Sequence, residues 1–257
     1  MRALERARLL RSAFTGYEWV RAAFARPTPA AVDGLPVPPP RLIVRVAGTT
    51  DADWFLESGR LAADTIAAAL RQANRPLESL GTLLDFGCGC GRVTRRWATL
   101  ATTEVHGSDR SAEAIEWCCR NLRFAEFTTN DLEPPAPYPD TRFDLVYALS
   151  VFTHLPEQLQ RGWIDDLERI LRPQGLLLLT VHGQRYRGRL TASEQRRFDA
   201  GELVVRWPEG AGSNLCSAFH PPSYVKERLA ARFEVVEFVP EGATGNPHQD
   251  LYLLRRR

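Results

Sequence analysis

Apolar and polar positions along this chain follow two patterns, which predict strands and helices in turn. Short continuous apolar runs are typical of strands that are buried on both faces of a sheet. Such runs stand at 83–84 and 176–181, and further strands are predicted at 104–108, 124–129 and 143–147. Between them, stretches whose apolar side chains have helical spacing stand at 92–100, 111–122 and 156–171. The alternation predicts an α/β fold with a doubly wound, mostly parallel sheet.

The C-terminal part continues this pattern after a long connection at 182–222. Connections of that length in a compact domain are usually functional. The connection includes a predicted extra strand at 202–207. A helix over 223–231 and strands over 233–239 and 251–254 are then predicted to close the domain.

The N-terminal part predicts a helical arm and a linker. Residues 4–25 carry arginines on one side and an apolar face on the other, formed by Leu10, Phe14, Tyr17, Val20 and Phe24. Prolines within 27–40 predict an extended linker, 41–46 predicts a short extended piece, and 57–73 predicts a helix. We therefore divide the chain into an arm and linker, 1–56, and an α/β domain, 57–257, in which 182–222 is an insertion.

Composition narrows the class of protein. The chain has 257 residues and a formal net charge of +2, which does not favour a nucleic-acid-binding protein. No apolar run reaches the roughly 18 residues that a membrane-spanning helix needs. The five cysteines show neither zinc-site spacing nor an even disulfide framework. We therefore expect reduced thiols in a cytoplasmic protein.

The stretch 83–92, LLDFGCGCGR, places a glycine-rich turn between a predicted strand and a predicted helix. Asp85 precedes glycines at alternate positions, Gly87, Gly89 and Gly91. Glycines let a ligand approach the backbone, and the amides at a helix start suit a polar or anionic group. A dinucleotide fingerprint would need glycine where Arg92 stands, and a phosphate-binding P-loop would need lysine followed by serine or threonine. Neither of those two motifs is present.

The spacing D-x-G-x-G-x-G resembles the first motif of class I S-adenosylmethionine-dependent methyltransferases. The resemblance extends over about residues 80–182 and includes FDLVYALSVFTHL, which is similar to the fourth motif of that family. It implies a seven-stranded, mostly parallel sheet with an antiparallel last strand. It also implies S-adenosylmethionine as the cofactor and S-adenosylhomocysteine as the product.

The resemblance gives each part of the cofactor a predicted partner. In the family, the strand-end acid, here Asp85, lies under the amino group, and Asp131 fits the acid that binds adenine, with Leu132 against the ring. Asp109 ends the second strand, where an acid accepts hydrogen bonds from the ribose hydroxyls; the alternative is a helix cap, a role that Ser111 fits equally well. The full predicted set is Asp85, Phe86, Gly87, Cys88, Gly89, Gly91, Arg92, Asp109, Arg110, Asn130, Asp131, Leu132, Leu149 and Ser150.

The same resemblance suggests a role for the arm. Similar methyltransferases often use an N-terminal arm to cover the substrate pocket. Tyr17, Trp19, Trp54 and Phe55 are then candidates to line the pocket. The alternative is that these aromatic side chains pack the arm onto the domain.

Methyl transfer is an in-line displacement, so positioning and water exclusion are the main tasks of the protein. A hydroxyl acceptor needs a base, whereas a neutral amine needs desolvation and orientation. His154, which follows the fourth strand, is the first candidate for proton transfer or acceptor orientation; the alternative is that it caps the next helix. His182 and His220 are the next candidates, His106 is expected to be structural, and no metal site is predicted.

The sequence favours methyl transfer to an oxygen or nitrogen atom of a small molecule, such as a sugar or a secondary metabolite. Methylation of a protein, peptide or RNA is an alternative, as is a protein that binds S-adenosylmethionine without methyl transfer. The glycine spacing disfavours a nicotinamide-dependent oxidoreductase. The sequence leaves the oligomeric state open.

Overall fold

A computed structural model describes residues 16–25, 27–246 and 248–257 of the chain. Its strands are β1 (Ala31–Val32), β2 (Leu35–Pro36), β3 (Thr82–Phe86), β4 (Glu104–Asp109), β5 (Glu126–Thr129), β6 (Phe143–Leu149), β7 (Leu171–Val181), β8 (Val204–Arg206), β9 (Ser217–Phe219), β10 (Phe233–Ala243) and β11 (Gln249–Arg256). Its helices are α1 (Pro40–Ala47), α2 (Ala52–Gln72), α3 (Ala112–Asn121), α4 (Glu157–Ile170), α5 (Ala192–Asp199) and α6 (Pro222–Tyr224). Residues 16–23 are also helical. The remainder of the predicted 4–25 helix, 4–15, lies outside the described residues.

Within the described residues, the main sheet has seven strands in the order β10-β11-β7-β6-β3-β4-β5. Strands β3 to β7 are parallel to one another in this sheet. Strand β11 is antiparallel to both β7 and β10. The predicted fold, a mostly parallel seven-stranded sheet whose last strand is antiparallel, is therefore confirmed.

The central strands are buried on both faces because each face of the sheet carries its own apolar cluster. Leu177 and Leu179 face a cluster that contains Trp163 of α4. Leu176 and Leu178 face the opposite cluster, with Trp97. All four leucines are fully buried, which explains why this strand is a continuous apolar run rather than an alternating one.

The structure corrects three predicted elements. The piece at 41–46 is not extended; it is α1, which begins at Pro40 and ends where Gly48 adopts φ +67°. The predicted helix at 92–100 is only a 3₁₀ turn, Thr94–Trp97, and the helix predicted at 223–231 is α6 followed by a π-helical turn, Val225–Leu229. Burial of Leu42 and Ile43 against Phe55 overrides the local preference of the β-branched run at 41–46.

Other predicted elements differ from the structure mainly at their ends. Helix α2 begins at Ala52, five residues earlier than predicted at 57, because the Asp51 side chain caps it by accepting a hydrogen bond from the Trp54 amide at 3.0 Å. The predicted extra strand at 202–207 is β8, which pairs with β9. No helix in the described ranges is long and apolar enough to cross a membrane.

Replacing Gly91 with alanine is expected to lower the free energy of unfolding by roughly 2–4 kcal/mol, from backbone strain and overpacking together. Gly91 has φ +75°, and a Cβ there would lie 2.4 Å from Leu122 Cδ1. Urea denaturation measures the effect. Gly188→Ala is the control, because no heavy atom lies within 4 Å of a Cβ at that position. Equal stability of the two variants would contradict this account of the loop.

Candidate functional site

A cavity of about 690 Å³ opens at the carboxyl ends of β3, β4 and β6. In open α/β sheets this edge is where ligands bind, and the volume is in the range of small-molecule sites. Every predicted cofactor-binding residue except Gly91 lines it. Gly91 instead lies against Leu122 of the C-terminal end of α3, so its place in the motif serves packing.

The glycine loop is held in place by the end of β4. The amides of Gly87 and Cys88 both donate to the Ser108 carbonyl oxygen, at 2.7 and 3.0 Å. Gly89 has φ +55°, and its amide donates to Asp109 Oδ2 at 2.9 Å. A Cβ at Gly89 would lie 2.5 Å from Val46 Cγ2, so the loop also needs glycine to let α1 approach.

Asp109 joins two backbone segments through its carboxylate. Oδ2 accepts from Gly89, and Oδ1 accepts from the Ser111 amide at 2.7 Å. Ser111, not Asp109, supplies the side-chain cap of α3, with Oγ accepting from the Ala114 amide at 3.4 Å. Burial raises the pKa of Asp109. A carboxylate has about four lone-pair sites, so Asp109 keeps acceptor capacity for a ligand hydroxyl.

Asp85 is buried at the end of β3 with a neutral partner. Thr94 Oγ1 donates to its Oδ2 at 2.5 Å, and the Asp85 side chain is 4% exposed. Burial raises the pKa of Asp85 to about 6. The electrostatic attraction between this carboxylate and a cationic ligand group would therefore be stronger than in water.

Arg92 is placed differently from what the cofactor prediction implies. Its guanidinium donates to Ser58 Oγ at 3.1 Å, to the Gly245 carbonyl oxygen at 3.2 Å and to Asn246 Oδ1 at 2.8 Å. These bonds tie the glycine loop to α2 and to the β10–β11 connection. Arg92 also lines the cavity, so it supports the wall that it belongs to.

The residues after β5 form another part of the cavity wall. Asn130 Nδ2 donates to the Asp131 carbonyl oxygen at 2.7 Å, and Asp131 is exposed and lines the cavity. The Leu132 carbonyl oxygen accepts from Trp163 Nε1 at 2.9 Å, which fixes this segment on α4. Arg110 donates to the Gly212 carbonyl oxygen at 3.0 Å, which joins the end of β4 to the 182–222 insertion.

A closed set of hydrogen bonds holds the end of β6. The Ser150 amide donates to Thr180 Oγ1 at 2.9 Å, and Thr180 Oγ1 donates to Gln249 Oε1 at 2.7 Å. Gln249 Nε2 donates back to Ser150 Oγ at 2.8 Å. Ser150 has φ +62°, a left-handed conformation that these bonds stabilise. Leu149, Ser150 and Gln249 all line the cavity.

Among the three candidate histidines, His154 is the one that lines the cavity. Its Nδ1 lies 2.8 Å from the Cys216 carbonyl oxygen, an acceptor, so Nδ1 carries the proton and Nε2 is the unprotonated nitrogen. Burial lowers the pKa of His154. Its side chain is therefore a neutral imidazole near neutral pH, which suits a proton acceptor.

The other two candidates lie behind the cavity wall rather than in it. His182 stacks on Tyr186 with ring centroids 4.1 Å apart, and burial lowers its pKa to about 3. His220 is fully buried, with Nε2 3.2 Å from Gln160 Oε1, and burial lowers its pKa to about 3. Neither side chain is placed to touch a molecule in the cavity, although His182 supports Tyr186, which does line it.

The N-terminal part contributes more to the wall than the sequence indicated. Trp54, a named candidate, lines the cavity, but Phe55 is fully buried and Trp19 is 59% exposed on the outside. Further lining residues that sequence reasoning missed are Glu18, Arg45, Val46, Ala47, Gly48, Tyr186, Asn214, Leu215, Gly245 and Asn246. No motif marks these positions, because the wall forms only when distant segments meet. Among the described residues, no cluster of three or more His, Cys, Asp or Glu side chains could hold a metal ion.

Part of this chain is similar in sequence to proteins of known activity. Residues 83–175 match the family model described as a methyltransferase domain. The 27-O-demethylrifamycin SV methyltransferase of Amycolatopsis mediterranei (strain S699) is 34% identical over 134 residues, which cover 49% of this chain and 48% of that protein. The chain spans about half the length of the curated relatives that it matches most clearly.

Solved structures share the fold at low sequence identity. The PH0226 protein from Pyrococcus horikoshii OT3 gives a TM-score of 0.56 at 17% identity, covering 76% of this chain and 91% of that one. The Burkholderia thailandensis 1,6-didemethyltoxoflavin-N1-methyltransferase, solved with 1,6-didemethyltoxoflavin and S-adenosylhomocysteine, gives 0.55 at 18% identity, covering 78% and 79%. The matched segment identifies residues 83–175 as a methyltransferase domain, and these solved structures share the fold of the chain around it.

Proposed function

We propose that this chain transfers a methyl group from S-adenosylmethionine to an oxygen or nitrogen atom of a small molecule. The observation that carries the proposal is the glycine loop bonded to Asp109 at the wall of a 690 Å³ cavity. The loop leaves room for a ligand against the backbone, and Asp109 retains acceptor capacity beside it. Cavities of this size bury a molecule of cofactor dimensions.

The residues of the wall fit the chemical parts of the cofactor. Asp85 would meet the ammonium group, and Asp109 would accept from the ribose hydroxyls. Asp131 and Leu132 would contact the adenine, since they follow the next strand along the same sheet edge. When bound, S-adenosylmethionine supplies an activated methyl group, so these side chains act by binding and orienting.

A small acceptor fits the remainder of the cavity. Beyond the predicted cofactor residues, its wall carries the aromatic rings of Trp54 and Tyr186, the amides of Asn214 and Asn246, and His154. Two compared proteins have names that specify small organic substrates, a rifamycin and a toxoflavin. A macromolecular acceptor would need an open surface, whereas the arm and the 182–222 insertion both contribute to this wall.

Within this proposal, His154 accepts the proton of a hydroxyl acceptor through Nε2. The Cys216 carbonyl oxygen fixes the tautomer that leaves this nitrogen unprotonated.

The arm, 1–56, acts as part of the cover that excludes water, since Glu18, Arg45 and Trp54 lie on the cavity wall. The cysteines in the described residues are all free, and most are buried, which supports a reducing, cytoplasmic location.

Asp109→Asn is expected to weaken S-adenosylhomocysteine binding by roughly 1–3 kcal/mol, because an amide cannot accept at both of its positions. Isothermal titration calorimetry measures the loss. Asp199→Asn, which changes an exposed carboxylate paired with Arg187, is the control and should bind as tightly as the unmodified chain. Unchanged affinity in Asp109→Asn would remove the ribose assignment.

Acidification is expected to weaken S-adenosylhomocysteine binding through Asp85. The ligand ammonium favours the ionised carboxylate, whose pKa in the ligand-free chain is raised by burial to about 6. Binding should therefore be strongest above that pH and fall by up to about tenfold per unit as the pH drops below it. Calorimetry from pH 7.5 to pH 5 tests this, and Asp85→Asn should bind weakly with a flatter profile. The same pH slope in both proteins would exclude Asp85 as the titrating group.

His154→Gln is expected to lower kcat for a hydroxyl acceptor by about 10²–10³-fold, the contribution of a positioned base. Release of S-adenosylhomocysteine measures turnover, once a metabolite panel has supplied an acceptor. His248→Gln, an exposed histidine beside Glu241, is the matched control and should retain full turnover. Retained kcat in His154→Gln would assign the proton transfer elsewhere, provided that cofactor affinity is unchanged.

A further inference from the structure

The helical segment 16–23 meets α1 through two neighbouring contacts. The Glu18 side chain is 2% exposed, and its carboxylate accepts from Arg45 Nε at 3.1 Å and from Arg45 Nη2 at 2.7 Å. The Arg41 guanidinium lies 4.5 Å from the centroid of the Trp19 ring. Arg41 and Arg45 are one helical turn apart on α1, so consecutive residues of the segment contact one face of that helix.

Both arginines also form ion pairs with Glu113 in the first turn of α3. Arg45 Nη1 lies 3.0 Å from Glu113 Oε2, and Arg41 is also paired with the Glu113 carboxylate. Arg45 Nη1 further donates to Ser111 Oγ at 3.0 Å. The Glu113 carboxylate is therefore paired with both arginines. Arg45 links segment 16–23 to Ser111, the N-cap residue of α3.

The contacts of Arg45 lead to Asp109, the residue predicted to bind the ribose. Ser111 donates its amide to Asp109 Oδ1 at 2.7 Å, so hydrogen bonds run without a break from Glu18 through Arg45 and Ser111 to Asp109. Two more contacts tie the same part of α1 to the cavity. Asn214 of the 182–222 insertion donates to the Arg45 carbonyl oxygen at 3.0 Å, and Val46 lies over Gly89.

We propose that Arg45 is a positioning residue that couples docking of segment 16–23 to occupation of the Asp109 site. The inference rests on the proposed function, since the occupant of that site is the adenosine part of the cofactor. Glu18 and Arg45 both lie on the cavity wall, and a bound nucleoside would cover part of the Arg45 side chain, which is 26% exposed. Coupling between two binding events is reciprocal, so the docked segment strengthens cofactor binding by the same factor as the cofactor strengthens docking.

The charges explain why the coupling passes through this pair. Removing one partner of a buried ion pair leaves the other charge uncompensated, which is costly. Without Arg45, the Glu18 carboxylate would be expelled to water, and segment 16–23 would leave with it. Without Glu18, Arg45 keeps Glu113 and Ser111 but loses its attachment to the segment. Removal of Arg45 and removal of Glu18 should therefore have the same result, which is that segment 16–23 no longer docks on α1.

The experiment measures two quantities in the 257-residue chain. Hydrogen–deuterium exchange of the peptide that covers 16–23, with and without S-adenosylhomocysteine, reports docking of the segment. Calorimetry reports the affinity for the same ligand. The variants are Glu18→Gln, Arg45→Gln and the double variant, and Glu57→Gln is the control because it breaks an exposed pair with Arg60 on α2.

In the unmodified chain and in Glu57→Gln, the ligand should slow exchange of this peptide. Both single variants should lose that protection and bind the ligand on the order of tenfold more weakly. The double variant should be no weaker than the singles, because the two residues act as one unit. Glu18→Gln keeps the test informative if Arg45→Gln fails to fold.

The results separate failure of the inference from failure of the proposed function. An unmodified chain that does not bind S-adenosylhomocysteine would overturn the proposed function, and the inference with it. Ligand binding that leaves exchange of 16–23 unchanged would overturn the inference alone. So would Glu18→Gln with the affinity and protection of Glu57→Gln.

Discussion

The carboxylate of Asp109 is the constraint on which this site depends. It accepts hydrogen bonds from the amides of Gly89 and Ser111, which belong to two different strand–helix connections. Parallel pairing of Phe86 with Ser108 brings these connections together at one edge of the sheet. Asp109 thereby sets the shape of the glycine loop and the start of α3 at once, and each of them carries other contacts. A substitution at this position would disturb the loop, the helix start and the ligand contact together.

Around this constraint, the wall is assembled from segments far apart in the chain. Arg92 joins the glycine loop to the β10–β11 connection, and Arg110 joins β4 to the 182–222 insertion. The cationic side chains of this wall therefore spend much of their hydrogen-bonding capacity on the fold. Among the carboxylates of this wall, Glu18 is paired with Arg45, whereas Asp85 and Asp109 accept hydrogen bonds from a hydroxyl and from amides, which carry no net charge. That balance suits a ligand that carries positive charge.

The sequence predicted the sheet and one side of the cavity, but it missed the other side. The apolar stretches 83–84, 145–149 and 176–179 lie in the strands β3, β6 and β7, and the D-x-G-x-G-x-G spacing directs attention to Asp109 on the next strand. These signals are local. Glu18 and Arg45 carry no such signal, because their positions are set by contacts across 27 and 68 residues of chain, from Glu18 to Arg45 and from Arg45 to Glu113.

The histidines illustrate the same limit. Order along the chain placed His154, His182 and His220 near the carboxyl edge of the sheet, and in this coarse sense all three lie there. Whether a side chain faces the cavity or the layer behind it depends on packing, which buried His220 against Gln160. Sequence position therefore identifies candidates for chemistry, while the neighbours of each ring decide among them.

The pKa values of two aspartates at opposite ends of the sheet are shifted in opposite directions. At the amino end, burial acts to raise the pKa of Asp144, but the Arg172 guanidinium and the amides of Thr82 and Gly81 outweigh it, so the pKa lies below its usual range. At the carboxyl end, Asp85 has a hydroxyl partner, and burial leaves its pKa raised. An unpaired buried acid costs stability, and an ion pair like that of Asp144 would remove the cost. Asp144, which forms a salt bridge, lies away from the cavity. Asp85, whose partner is a hydroxyl, lies on the cavity wall, where a cationic ligand would offset the cost of burying its charge.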